Sequence, residues 1–142
     1  MNAKEYLSQS FTLYALIKAK KAYIQNLREM QESISNGAQT NIKVQTSLKT
    51  DTLGELTSMV LDAEEETRQS INKLLSIQKN ISEIVESVTN VNCKLVLYER
   101  YVNLKTWEHI AEDSNYSVRW VHVLHKRGLK AVDELIAINT LQ

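Results

Sequence analysis

The chain has 142 residues, with 17 Lys and Arg against 17 Asp and Glu, so its formal net charge at pH 7 is zero. A neutral chain has no global attraction to nucleic acid or to an anionic membrane, so any basic surface must be local. The length fits one domain, or a small domain with an extension, and a single cysteine excludes an intramolecular disulfide.

The composition favours an all-α protein. The chain has no proline and three glycines, so the turn residues that strands need between them are scarce. The first predicted helix runs from about Asn2 to Ser35, and Asn36 and Gly37 are a natural stop. Its apolar residues recur at helical spacing: Tyr6, Leu13, Ile17, Ile24, Leu27 and Ile34.

A stretch rich in Thr, Gln and Ser follows, from Ala38 to about Thr50. That composition is typical of an exposed loop, so we expect a loop over about residues 36–52. Asp51 or Thr52 is then placed to cap the second helix, which extends to about Val88.

The second helix has the most regular pattern of the chain. Apolar and small residues step by three and four over about five heptads: Leu53, Leu56, Val60, Ala63, Thr67, Ser70, Leu74, Ile77, Ile81, Ile84 and Val88. So long a helix cannot bury this stripe against itself. Its simplest partner is the first helix, folded back as a long antiparallel hairpin in the chain before the C-terminal domain. The alternative partner is a second copy of the chain. Residues 1–90 are thus predicted as a coiled-coil-like arm, either purely structural or used for homo-oligomerisation or partner docking.

Charge is segregated along the chain. Residues 1–50 carry a net charge of +4, residues 51–90 a net charge of −5, and residues 91–142 a net charge of +1. DNA would therefore repel the middle segment. Cys93 lies beside Leu95 and Val96 and is expected to be a buried structural thiol. No apolar run is long enough to span a membrane and the start does not read as a signal peptide, so we expect a cytoplasmic protein without membrane contact.

Residues 91–142 predict a helix-turn-helix domain. Thr106 is placed to cap a helix from Trp107 to about Ser114, and Asn115 tolerates the left-handed backbone that ends it. Tyr116 is expected to pack into the corner, and Ser117 to cap the next helix.

Spacing also predicts the buried faces of these two helices. Trp107, Ile110 and Ala111 share one face of the shorter helix. The buried positions of the longer helix are Val121, Leu124, Gly128 and Val132. A neighbouring helix can approach closely at Gly128, which has no side chain.

The opposite face of the longer helix carries the candidate DNA contacts. Between Ser117 and Val132 there are four Lys or Arg and no Asp or Glu. Such a face suits the phosphate-lined major groove, although Lys and Arg are also ordinary partners of a helix C-terminus. The candidate set is Ser117, Val118, Arg119, His122, Val123, Lys126 and Lys130. Arg119 and His122 are assigned to base edges, and Lys126 and Lys130 to phosphates.

This segment resembles region four of sigma-70-type RNA polymerase sigma factors. More closely, it is similar to small phage and prophage proteins of Gram-positive bacteria, including late transcriptional regulators of the ArpU/RinA type. The residues that carry the resemblance are Arg100-Tyr101, Thr106 to Ala111, Tyr116 to Arg119, Val121, Leu124-His125 and Leu129, and Ala3 to Gln9 resembles the start of those phage proteins. The resemblance implies a DNA-binding transcriptional regulator with duplex DNA and RNA polymerase as partners.

Two residues depart from the sigma pattern. Trp120 and Val123 stand where sigma-type readers often place Arg, Lys or Gln. Val123 cannot hydrogen-bond a base edge, although it can touch a thymine methyl group. No segment resembles the core-promoter region of a full sigma factor, so autonomous sigma activity is not expected.

The chemistry-bearing residues indicate neither an enzyme nor a cofactor. His109, His122 and His125 lack Cys or carboxylate partners at metal-ligand spacing, so no metal site is expected and His125 is read as packed or phosphate-facing. The carboxylates of 64–66 point in different directions on a helix. Two alternatives to DNA-binding regulation stay open: a protein-interaction module that binds RNA polymerase or a regulator, and the DNA-recognition subunit of a phage packaging terminase.

Overall fold

The computed structural model describes residues 1–36 and 43–140, with side chains given from residue 49 onward after the gap. The prediction of an all-α protein is confirmed, since these residues form five α-helices and a short π-helical segment without any strand. The helices are α1 (Ala3–Asn36), α2 (Lys43–Glu86), α3 (Val91–Leu97), α4 (Trp107–Ser114) and α5 (Val118–Thr140), with the π segment (Tyr98–Val102) between α3 and α4. Within the described ranges, no helix is long and apolar enough to cross a membrane.

The predicted loop over 38–50 is wrong for its second part, because residues 43–50 are the first two turns of α2. Asp51 and Thr52 therefore lie inside the helix and do not cap it, while the first part of the predicted loop lies outside the described residues. The stretch has no Pro or Gly from residue 43 to 53. Relative to Ala, each Ser, Thr or Gln lowers the stability of a helix by only a few tenths of a kcal/mol, about 0.7 at most. The Lys49 ammonium donates to the Ser35 carbonyl at 3.2 Å, an oxygen that has no partner inside α1.

The chain divides into two compact units. Unit 1 is Met1–Tyr14 with Lys73–Gln142, and unit 2 is Ala15–Asn72. The first and last parts of the sequence thus contribute to the same core. The division of the chain into an arm over residues 1–90 and a helix-turn-helix domain over residues 91–142 stays a prediction.

Unit 2 includes α1 from Ala15 to its end at Asn36 and the first part of α2, and the two segments run antiparallel. Lys20 Nζ donates to Ser70 Oγ at 3.0 Å, and Gln31 Nε2 donates to Thr57 Oγ1 at 3.1 Å, so residue numbers fall along α2 as they rise along α1. The apolar cluster between the segments is small and comprises Leu27, Leu56 and Val60, with Ile24 and Ile34 packed against it.

Unit 1 has a larger core, to which α1, α2, α3, the π segment, α4 and α5 all contribute. Its fully buried large side chains are Leu7, Ile81, Val85, Val96, Leu97, Ile110, Val121, Leu124 and Val132. Two polar contacts fasten the start of α1 into this unit. Ala3 N donates to Asp133 Oδ1 at 2.7 Å, and the buried Ser10 hydroxyl donates to the Tyr101 carbonyl at 3.0 Å. The first contact satisfies a backbone N–H that a helix start otherwise leaves without a partner.

The heptad positions predicted for α2 lie on its covered side from Leu53 to Ile84, since each of these ten is buried or half-buried. The eleventh, Val88, is buried too but lies after the end of α2 at Glu86. Val85 is also fully buried although it was not among them. On α1 the predicted stripe is buried or half-buried as well, but the periodicity did not indicate Ala3, Leu7 and Ser10, which are all 0% exposed. Cys93 is buried, as predicted, and burial raises the pKa of its thiol.

Candidate nucleic-acid interface

The turn between α4 and α5 has the backbone that the sequence predicts. The Thr106 hydroxyl accepts from His109 N at 3.2 Å and so caps α4. Asn115 has φ 57° and ψ 31°, the left-handed conformation that ends a helix. The Tyr116 N–H donates to the Ala111 carbonyl at 3.0 Å and its hydroxyl donates to Asn92 Oδ1 at 3.2 Å, so Tyr116 closes the corner.

Helix α5 begins at the predicted cap. The Ser117 hydroxyl accepts from Trp120 N at 3.1 Å. The four positions predicted to face the core, Val121, Leu124, Gly128 and Val132, are all buried. A Cβ at Gly128 would lie 2.9 Å from Leu97 Cδ1, so the absence of a side chain allows α3 to approach α5 closely. The predicted face of α4 is confirmed too, with Ile110 and Ala111 buried and Trp107 packed against the core.

The candidate DNA contacts lie together along the first half of α5. Six of the seven are exposed and Val123 is half-buried. The exposed six are Ser117, Val118, Arg119, His122, Lys126 and Lys130. Arg127 is also exposed, and its guanidinium carbon lies 5.4 Å from the centre of the Trp120 ring. A cation over an indole face is a favourable contact that holds both side chains in place.

The charged residues on this face of α5 are all positive. No Asp or Glu lies between Ser117 and Val132, and the nearest acid before the turn, Asp113, accepts from Lys105 Nζ at 2.9 Å. The hydrogen bond from Lys105 holds the pKa of Asp113 below its ordinary value. Lys105 also forms an ion pair with Glu99. Lys105 thus pairs with two carboxylates close to the turn and offsets part of their negative charge, while the cations of α5 face solvent.

Trp107 joins α4 to α5 through two histidines. Its ring centre lies 4.7 Å from that of His122 and 4.5 Å from that of His125. His125 is only 9% exposed and shares a 2.6 Å hydrogen bond with the Tyr101 hydroxyl, so it is packed and does not face solvent. Burial, followed by electrostatic interactions with His122, Arg100 and Lys4, lowers the pKa of His125 to about 4. The supporting histidine is thus neutral at pH 7.

The sequence did not indicate the cluster behind this contact. Arg100 lies between two rings, with its guanidinium carbon 4.4 Å from the centre of Phe11 and 4.3 Å from that of Trp107. The three residues come from α1, the π segment and α4, so no spacing along the chain connects them. The one available signal was the Arg100-Tyr101 pair, which carries part of the sigma resemblance but was given no role.

Comparison of the chain with family models, with curated proteins and with solved structures finds no match in any of the three. The resemblance to sigma region four therefore stays a prediction that rests on the residues quoted for it.

Proposed function

We propose that this chain is a DNA-binding transcriptional regulator of phage type, acting in the cytoplasm of a bacterial cell. In this proposal α4 and α5 form a helix-turn-helix of sigma region-four type, and α1 and α2 form a helical hairpin that precedes it in the sequence. The observation that carries the proposal is the exposed, acid-free first half of α5, which is held on a buried core at a capped left-handed turn.

The dimensions of α5 suit the groove. Its segment from Val118 to Lys130 is about 20 Å long at about 1.5 Å per residue, and a helix of about 10–12 Å diameter enters a major groove about 12 Å wide. Arg119 and His122, one turn apart, are placed for base edges. Lys126 and Lys130 lie further along the same helix, where they can follow the phosphate backbone.

Three residues complete the proposed contact surface. The Ser117 oxygen accepts from the helix backbone, so its O–H proton is available to donate to a phosphate oxygen. Val118 and Val123 have no polar atoms in their side chains and contribute apolar contact, with the thymine methyl as the natural partner for Val123. Base readout thus depends on two polar side chains, and affinity depends mainly on the cations.

We assign homo-oligomerisation to the α1–α2 arm. Leu16, Tyr23 and Met30 recur every seven residues on α1 and remain 48%, 46% and 53% exposed. A seven-residue apolar repeat is the pattern by which helices of two chains pair. Two recognition helices in one assembly would raise the affinity for DNA well above that of one. Measurement of mass in solution, with Tyr23→Lys as the variant that weakens pairing, tests this assignment.

A second candidate function is supported by one observation, the exposed apolar residues at the start of α5. Val118 and Trp120 are each 39% exposed, and large aromatic side chains are common anchors of protein interfaces. In this alternative α5 docks on RNA polymerase or on a regulator. Trp120→Ala would then abolish partner capture and leave binding to DNA unchanged.

The experiment that tests the main proposal begins with selection of bound fragments from phage and host genomic DNA. Arg119→Ala is expected to weaken the selected site most, by about 1–3 kcal/mol, and to relax preference at one base pair. Lys126→Ala should weaken all duplexes alike. Thr12→Ala, an exposed position on α1 far along the sequence from α5, serves as the matched control. Failure to enrich any fragment would count against sequence-specific reading.

A further inference from the structure

Unit 1 contains a cavity of about 340 Å³ beside the packed histidines. The start of α1, the π segment, α4 and α5 all contribute to its wall. The lining residues are Lys4, Ser8, Phe11, Arg100, Tyr101, Trp107, His122 and His125. Of these, the proposed DNA contacts use His122 alone, so groove binding does not account for the cavity.

The lining is cationic. Lys4 and Arg100 carry positive charges, and no Asp or Glu is among the residues that line the cavity. Both cations, together with His122, act on His125 and help to lower its pKa. Burial lowers the pKa of Arg100. The negative charge of Glu108 acts in the opposite direction but has the smaller effect. A small anion entering the cavity would therefore meet a positive potential.

Arg100 is presented in a fixed orientation. Its guanidinium is stacked between the rings of Phe11 and Trp107, at 4.4 and 4.3 Å. Nη1 donates to the Lys105 carbonyl at 2.8 Å, whereas a guanidinium has five N–H donors in a planar fork. The fork matches the oxygen pair of a carboxylate or a phosphate, and stacking reduces the side-chain entropy that binding would otherwise lose.

The volume of the cavity and the aromatic residues in its wall indicate what kind of group would carry the charge of the ligand. A cavity of about 150 Å³ is enough to hold benzene, so about 340 Å³ accommodates a ring that carries a charged group. Trp107 and His122 also line the cavity, and the parts of their rings that reach its wall can contact a planar ring. The Ser8 hydroxyl adds one neutral hydrogen-bonding group to the wall.

We propose that this cavity is a binding site for a small planar aromatic anion. Arg100 and Lys4 pair with its carboxylate or phosphate group, and Trp107 and His122 contact its ring. The site goes beyond the proposed reading of DNA and does not depend on it, since seven of its eight lining residues lie outside the predicted DNA contacts.

Binding is measured by the indole N–H signal of Trp107 in the ¹⁵N-labelled full chain. The chain has two tryptophans, so Trp120→Phe makes the reporter unique. Benzoate and phenyl phosphate are the aromatic carboxylate and aromatic phosphate probes. Benzamide lacks the charge, cyclohexanecarboxylate lacks the aromatic ring, and inorganic phosphate lacks any ring. We expect saturable shifts with at least one aromatic anion. Benzamide should bind about tenfold more weakly or worse, because it loses a charge-assisted hydrogen bond. Cyclohexanecarboxylate and inorganic phosphate should also bind more weakly, because they lose the contact with an aromatic ring.

Variants separate the cavity from the neighbouring DNA-facing surface. Lys4 is exposed, so Lys4→Ala leaves the core intact and should weaken the aromatic anion by about threefold, the scale of an exposed ion pair. Arg100→Lys should weaken it more, because it keeps the charge and loses the stacked fork. Lys126→Ala, which removes a cation outside the cavity, should have no effect. The proposal is overturned if no probe moves the Trp107 signal, if benzamide binds as well as benzoate, or if Lys126→Ala matches Lys4→Ala.

Discussion

Unit 1 and unit 2 are both helical, but different interactions hold them together. Unit 1 buries large apolar side chains completely, among them Leu7, Ile110 and Leu124. Unit 2 has a cluster of three buried apolar residues and an exposed ion pair between its two helices, Arg28 with Glu64. Exposed polar pairs contribute about 0–1 kcal/mol each. The candidate interface on α5 is therefore supported by the better-packed unit, and we expect unit 2 to open locally at a lower free energy than unit 1.

The largest expected effect comes from making the same change, Leu to Ala, in the core of each unit and comparing the losses of stability. Leu124→Ala should lower the free energy of unfolding by about 3–5 kcal/mol, because a leucine that is 2% exposed leaves a cavity among rigid neighbours. Leu56→Ala, at a leucine that is 7% exposed in the thin cluster of unit 2, should cost about 2 kcal/mol. Urea unfolding of both variants measures the difference, and equal losses would contradict the contrast in packing.

The next effect is a pH dependence confined to unit 1. Because burial lowers the pKa of His125 from 6.5 to about 4 in the folded protein, the unfolded chain binds more protons between these values. Stability is therefore complete above about pH 6.5 and falls as the pH falls toward 4. The loss is about 2 kcal/mol, since one pKa unit corresponds to about 1.4 kcal/mol and partial solvation reduces the full difference.

His125→Gln isolates this contribution. The variant removes the imidazole, so the slope of stability against pH over that interval should flatten even if the variant is less stable at every pH. Urea midpoints across the interval give the slope. A variant with the slope of the wild type would show that another group is responsible.

The smallest effect uses the two described glycines, one in each unit. A Cβ at Gly54 would meet nothing within 4 Å, whereas at Gly128 it would lie 2.9 Å from the buried Leu97 side chain. Gly54→Ala should stabilise the protein by about 0.5–1 kcal/mol through helix propensity and reduced chain entropy. Gly128→Ala gains the same propensity but strains the core, with a net loss of about 1 kcal/mol. Thermal unfolding of both variants should give shifts of opposite sign, and shifts of the same sign would refute the account.

Local features of the candidate interface could be predicted from the sequence. The caps at Thr106 and Ser117 and the left-handed Asn115 each depend on the residue itself and its next few neighbours. The buried face of α5 follows from a period of 3.6 residues. These features are independent of the rest of the fold, which is why a single sequence is enough to indicate them.

Long-range features could not be predicted in this way. The contact of Ser10 with Tyr101 joins residues 91 positions apart, and Arg100 is stacked by residues from two other elements. The start of α2 was missed for a different reason, because Ser, Thr and Gln only weakly disfavour a helix and give no sharp boundary when Pro and Gly are absent. The cavity beside His125 is formed by residues that lie far apart in the chain, so no local pattern in the sequence indicates it.

The central claim is that α5, and not the basic residues elsewhere, binds duplex DNA. The most direct test is the dependence of duplex affinity on salt for the wild type and two double variants, because each phosphate contact lowers the slope of log K against log salt by about 0.9. Lys126→Ala with Lys130→Ala removes two cations from α5, and Lys18→Ala with Lys21→Ala removes two from unit 2. We predict a steep wild-type slope that becomes shallower by about 2 in the first double variant and is unchanged in the second. A wild type without salt-sensitive binding, or equal changes in both variants, would contradict the claim.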